Sequence, residues 1–140
     1  MNVIAIRKGI WTAVIVVVIS SSILGVARTL LAPRFDVTEP QMLRAVMIGI
    51  LFVYLLGGLV AGYVAAKNDP FGTVMSGALA AGIFQLLEVA VSALILKFFL
   101  HSPNAPAAIM VLSLGLAMVL GIFGASLHVF RRARTLGTTP

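Results

Sequence analysis

The chain contains no cysteine, which excludes disulfides, thiolate metal ligands and a cysteine nucleophile together. Acidic residues are almost as scarce. Only Asp36, Glu39, Asp69 and Glu88 are present, too few and too scattered for the clustered carboxylates of acid–base or metal-assisted catalysis. The two histidines, His101 and His128, fall near opposite membrane faces in the topology derived below. Asp36, Glu39 and His101 would share one side, yet nothing in their spacing demands a metal. The reading is therefore not an enzyme, with no catalytic residue, no cofactor and no metal site.

Charge of either sign is swept almost entirely into the gaps between long apolar runs. With a mean hydropathy of +1.13, the chain has too little polar surface to dissolve as a globule. Its apolar stretches exceed what a buried core helix needs. The formal charge of +6 is spread singly or in small groups at helix ends, a pattern that fits lipid headgroups and not nucleic acid. The lipid bilayer is thus the first partner. Arg7 and Lys8 before an apolar stretch resemble the start of a cleavable signal peptide, but that stretch continues past Ser20, Ser21 and Ser22 and reads as a retained helix.

Four runs follow, at about 9–31, 45–66, 70–100 and 105–130, within a single transmembrane domain over 1–140. At about 1.5 Å per residue each can cross a hydrocarbon core of roughly 30 Å, so the predicted fold is all-α, a polytopic membrane four-helix bundle. Thr38 with Gln41 reads as a capping box for the second helix, Asp69 with Pro70 as the start of the third, and Ser102, Pro103 or Asn104 as the start of the fourth. Arg7, Lys8, Lys67, Arg131, Arg132 and Arg134 fall on one side; Arg28, Arg34, Arg44 and Lys97 fall on the other. The basic excess predicts a multi-pass protein of the cell (inner or plasma) membrane with both termini cytoplasmic. Trp11, Tyr63, Phe71 and Phe130 then line the inner interface, and Phe35, Phe98 and Phe99 the outer one.

Small residues mark the packing faces. In lipid, apolar side chains gain little by leaving acyl tails for one another, so helices associate where small residues let backbones approach. Gly58 and Gly62 lie beside Gly57, Ala61 and Ala65 on the second helix, while Gly77 with Ala81 and Ala78 with Gly82 answer on the third. Ala117, Gly121 and Ala125 supply the fourth. The short turn through Lys67, Asn68 and Asp69 predicts that helices two and three touch through Gly58, Gly62, Gly77 and Ala81. The stretch Gly57-Gly58-Leu59-Val60-Ala61-Gly62-Tyr63-Val64-Ala65, a polar turn, then Gly77-Ala78-Leu79-Ala80-Ala81-Gly82 resembles a hairpin of uncharacterised small four-helix membrane proteins of bacteria and archaea. That resemblance implies the fold and a membrane location, and no activity.

Glu88 alone places a carboxylate deep in a run, where an unpaired charge is costly. Gln85, Glu88 and Ser92 share a helix face by spacings of three and four. Arg28 lies twenty residues beyond Lys8 and Glu88 nineteen beyond Asp69, so counting from the inner end puts the two nearly level. A structural Glu88–Arg28 ion pair is the expectation. Ser20, Ser21 and Ser22 are expected to bond to helix carbonyls and not to act as nucleophiles. The function expected from all this is a structural or accessory membrane protein, a homo-oligomer or a subunit of a membrane complex. The alternative is a small oligomeric transporter or channel with Glu88 in its pathway.

Overall fold

The computed structural model describes residues 2–31, 39–71, 73–95 and 107–135. They form α1 (Val3–Leu31), α2 (Glu39–Asn68), α3 (Val74–Ile95) and α4 (Ala107–Thr135). Each helix is long and apolar enough to cross a membrane, and together they make an all-α bundle. Pro40 falls in the first turn of α2, where a missing N–H costs nothing. Thr38, Ser102, Pro103 and Asn104 lie outside the described residues.

The α2–α3 pair forms the middle of the bundle, with α1 and α4 each packed against both of its helices. Lys67, Asn68, Asp69 and Pro70 share a groove with His128 and Arg132 near the end of α4, and Lys8 near the start of α1 bonds to Asn68. The start of α1, the α2–α3 turn and the end of α4 therefore meet at one end, here called the turn end.

Small side chains fill the interior. Ala5, Ala13, Ala61, Ala65, Ala80, Ala81 and Ala125 are buried, and Phe84 is the bulkiest of the buried apolar side chains. Large apolar groups such as Ile15, Val18, Phe52, Leu87 and Phe123 point outward, as lipid in place of water permits.

The two small-residue stripes of α2 do not both face α3. Gly57, Ala61 and Ala65 turn toward α1, where a Cβ on Gly57 would meet Val17 at 2.8 Å and one on Gly9 would meet the Ala61 carbonyl at 2.5 Å. Gly58 and Gly62 turn toward α4: a Cβ on Gly62 would collide with the Gly121 backbone, and one on Gly58 would lie 3.6 Å from Ala117. On α3, a Cβ on Gly77 would meet Ala125 at 2.6 Å and Gly121 at 2.8 Å, but Gly62 only at 3.1 Å. Ala81 too lies against Gly121, its Cβ 2.6 Å from a Cβ built there. The close hairpin contact expected between α2 and α3 is thus shared with a third helix. The short turn holds α2 and α3 side by side, and the Ala117, Gly121 and Ala125 stripe of α4 enters the crease between them, where all three backbones can approach.

Candidate functional site

Helix α3 starts at Val74, later than the Asp69–Pro70 signal predicts, because Asp69 folds the turn instead of capping the helix. Its Oδ1 accepts the Phe71 N–H at 3.2 Å and its Oδ2 accepts the Thr73 hydroxyl at 2.8 Å. The Thr73 carbonyl in turn accepts both the backbone N–H and the hydroxyl of Ser76, at 3.2 and 2.7 Å. The hydrogen bond from Thr73 holds the Asp69 carboxyl below its ordinary value, against the opposing effect of burial and with help from Phe71. A carboxyl lowered in the folded state stabilises above its unfolded value, near about 4, and that contribution fades as pH falls through the lowered value. Acid titration of thermal unfolding in detergent should show this increment in the wild type and not in Asp69→Asn. Identical acid profiles would exclude Asp69 as the source.

Two grooves open at the turn end. One, of about 430 Å³, runs between α1 and α2 and is lined by Arg7, Lys8, Trp11, Thr12, Ile15, Val64 and Asn68. The other, of about 350 Å³, lies between the turn and α4. Asn68 borders both, accepting a bond from Lys8 Nζ at 3.2 Å and donating to the Val64 carbonyl at 2.8 Å. Close approach of α2 and α4 at Gly124 also sets the Tyr63 ring edge-on to His128, with centroids 5.5 Å apart. Trp11, Phe71 and Phe130 are exposed at this end, and Arg134 lies 4.7 Å over the Phe130 ring. Phe35, Phe98 and Phe99 lie outside the described residues.

Further along α3, Gln85 is buried and donates its amide to Glu88 Oε2 at 2.8 Å. Tyr54 of α2 lies beside the same carboxylate. Glu88 and Tyr54 each lie fourteen residues from the turn, counting from Val74 and from Asn68, about 21 Å along their helices. That equality follows only from the start of α3 at Val74 and is not legible in the sequence alone. Ser22 bonds back to the Val18 carbonyl at 2.8 Å, a local bond typical of helical serine.

The register alters the depth expected for Arg28. A Cβ on Gly57 would meet both Val17 and Phe84, so those two residues lie at one level. Glu88 is one turn beyond Phe84 and Arg28 three turns beyond Val17, which sets the Arg28 backbone about 10 Å further out. Counting from Asp69 includes the turn before Val74 as if it were helix. The Arg28 and Ser92 side chains, like Asp36 and His101, lie outside the described residues. Among the described residues there is no group of three or more His, Cys, Asp or Glu residues placed to hold a metal.

Comparison with family models, curated proteins and solved structures returned no match. Function must therefore be argued from the chemistry of these groups.

Proposed function

We propose that the protein is a structural or accessory membrane protein whose bundle packs with itself or with partner subunits of a membrane complex. The observation that carries this reading is the closure of the bundle by main chain. Around Gly62, Gly77 and Gly121 the space between α2, α3 and α4 is occupied by backbone and alanine methyl groups. Such an interior favours a rigid packing unit over a path for solute. Purification in mild detergent should yield a stable homo-oligomer or a stoichiometric foreign chain. A monomer without companions would count against it.

A transporter or channel is the second reading, favoured by one observation: Glu88, bonded by Gln85 and next to Tyr54, is an ionisable group within a membrane-spanning helix, and such groups often mark ion pathways. Ion or proton flux through reconstituted liposomes that disappears with Glu88→Gln, the fold being intact, would replace the first reading with this one.

We place the turn end in the cytoplasm of a cell (inner or plasma) membrane, on the strength of the basic residues gathered there. Single cysteines introduced at Asn68, Asn104 and Thr138 test this against a cysteine-free background. Impermeant label added to intact cells should reach only the Asn104 position. Labelling at Thr138 but not at Asn104 would invert the topology.

A further inference from the structure

The geometry points to the α1–α2 groove at the turn end as a binding site for one anionic phospholipid. Its phosphate would sit between Arg7 and Lys8, and its acyl chain would run along Ile15 and Val64. Charge and polarity are graded in the order that a lipid requires. Arg7 and Lys8 are exposed cations at the mouth, Trp11 and Thr12 follow one turn deeper and Ile15 a turn beyond them, with the half-buried Val64 of α2 as the apolar floor beside them. From Arg7 to Ile15 is about 12 Å along the helix, comparable to the passage from phosphate to the first acyl methylenes.

The cations are held where a phosphate can reach them. Lys8 Nζ spends one donor on Asn68 Oδ1 at 3.2 Å, which fixes the ammonium at the groove edge with donors to spare. Arg7 brings a planar fork suited to phosphate oxygens. No carboxylate lines this groove, whereas in the neighbouring one Asp69 opposes Lys67 and Arg132. Charge complementarity therefore selects the α1–α2 groove. The apolar floor selects an amphiphile over a free phosphate ion, and basic pockets between membrane helices are suited to anionic headgroups.

The site contains its own probe, because Trp11 is the chain's single tryptophan. Full-length protein is reconstituted into phosphatidylcholine vesicles containing a small fraction of brominated phosphatidylglycerol, and Trp11 quenching is read against brominated phosphatidylcholine at equal fraction. Enrichment of the anionic lipid at Trp11 by up to about thirtyfold is expected from two cations near the surface. Arg7→Gln with Lys8→Gln should return it to the mole fraction, while Arg131→Gln with Arg134→Gln, exposed residues outside the groove, should leave most of it. Both groove cations are solvent-exposed, so the variants should retain full helicity by circular dichroism. On unmodified protein, unbrominated phosphatidylglycerol should relieve the quenching and unbrominated phosphatidylcholine should not. Equal quenching by both lipids, or equal loss in the two double variants, would overturn the site. Relief by inorganic phosphate but not by chloride of the same ionic strength would overturn the lipid assignment in favour of the free ion.

Discussion

Gly62→Ala should lower the stability of the bundle by about 1 to 3 kcal/mol, and Gly62→Leu by more, because the added methyl has nowhere to go. A Cβ at Gly62 would collide with the Gly121 carbonyl and come within 2.6 Å of its Cα. Backbone cannot rotate aside as the end of a flexible side chain can. The helices must separate, and the contacts of Gly77 with Gly121 and Ala125 separate with them. Helix propensity acts the other way, since alanine is better than glycine by up to about 1 kcal/mol in a helix interior. The overpacking term is the larger. Gly115 provides the contrast: a Cβ there meets nothing within 4 Å, so Gly115→Ala retains only the propensity gain and should be neutral or stabilising. Unfolding of both variants in mixed detergent micelles measures the difference. Equal midpoints for Gly62→Ala and the wild type would mean that α2 and α4 do not meet through this face.

The sequence made the helices legible because the bilayer imposes one length and one polarity on each, and the apolar runs meet both conditions. It made the small-residue stripes legible for a similar reason, since close approach in lipid needs glycine and alanine at spacings of four. Which stripe meets which helix was less accessible. Gly57 and Gly58 are neighbours in the chain but face α1 and α4 respectively, and composition is the same for both. Ala5, Gly9 and Ala13 formed an equally good stripe on α1, and all three are buried, although the surrounding isoleucine and valine masked the pattern. Gly124 lies off the Ala117, Gly121 and Ala125 row, yet a Cβ there would collide with the Leu59 carbonyl.

Glu88 was visible as an isolated charge, and its neighbour Gln85 followed from helical spacing. Tyr54 was not, because a tyrosine within an apolar run resembles any other large side chain until the register is known. The expectation that Arg28 and Glu88 are level rests on counting the residues after Asp69 as helix. Residues 69–71 form a hydrogen-bonded turn around the Asp69 carboxylate, so they add no helical rise to α3. With α3 starting at Val74, the five positions from Asp69 shift the long-range alignment by about 7.5 Å.

The Tyr54–Glu88 contact should appear as a coupling of roughly 1 to 2 kcal/mol in a double-mutant cycle. Tyr54→Phe removes only the hydroxyl, leaving the ring in its half-buried site. With Glu88 present, the carboxylate then loses a neighbouring hydroxyl in surroundings where no bulk water can replace it, and hydrogen bonds to charged groups are the more expensive ones to lose. In a Glu88→Leu background the same substitution should cost little, because the hydroxyl has already lost its charged neighbour. Gln85 sets the scale: its buried amide bonds Glu88 at 2.8 Å, so Gln85→Leu should couple to Glu88 with the same sign. The measured value can be smaller than in a dry protein interior, since polar groups within membrane helices often find substitute partners. Steric trapping or denaturation in bicelles gives the four corners of each cycle. Strictly additive losses for Tyr54 and Glu88 would remove Tyr54 from the network. Retained stability in Glu88→Gln with loss of a measured ion flux would show that the carboxylate serves conduction and not packing.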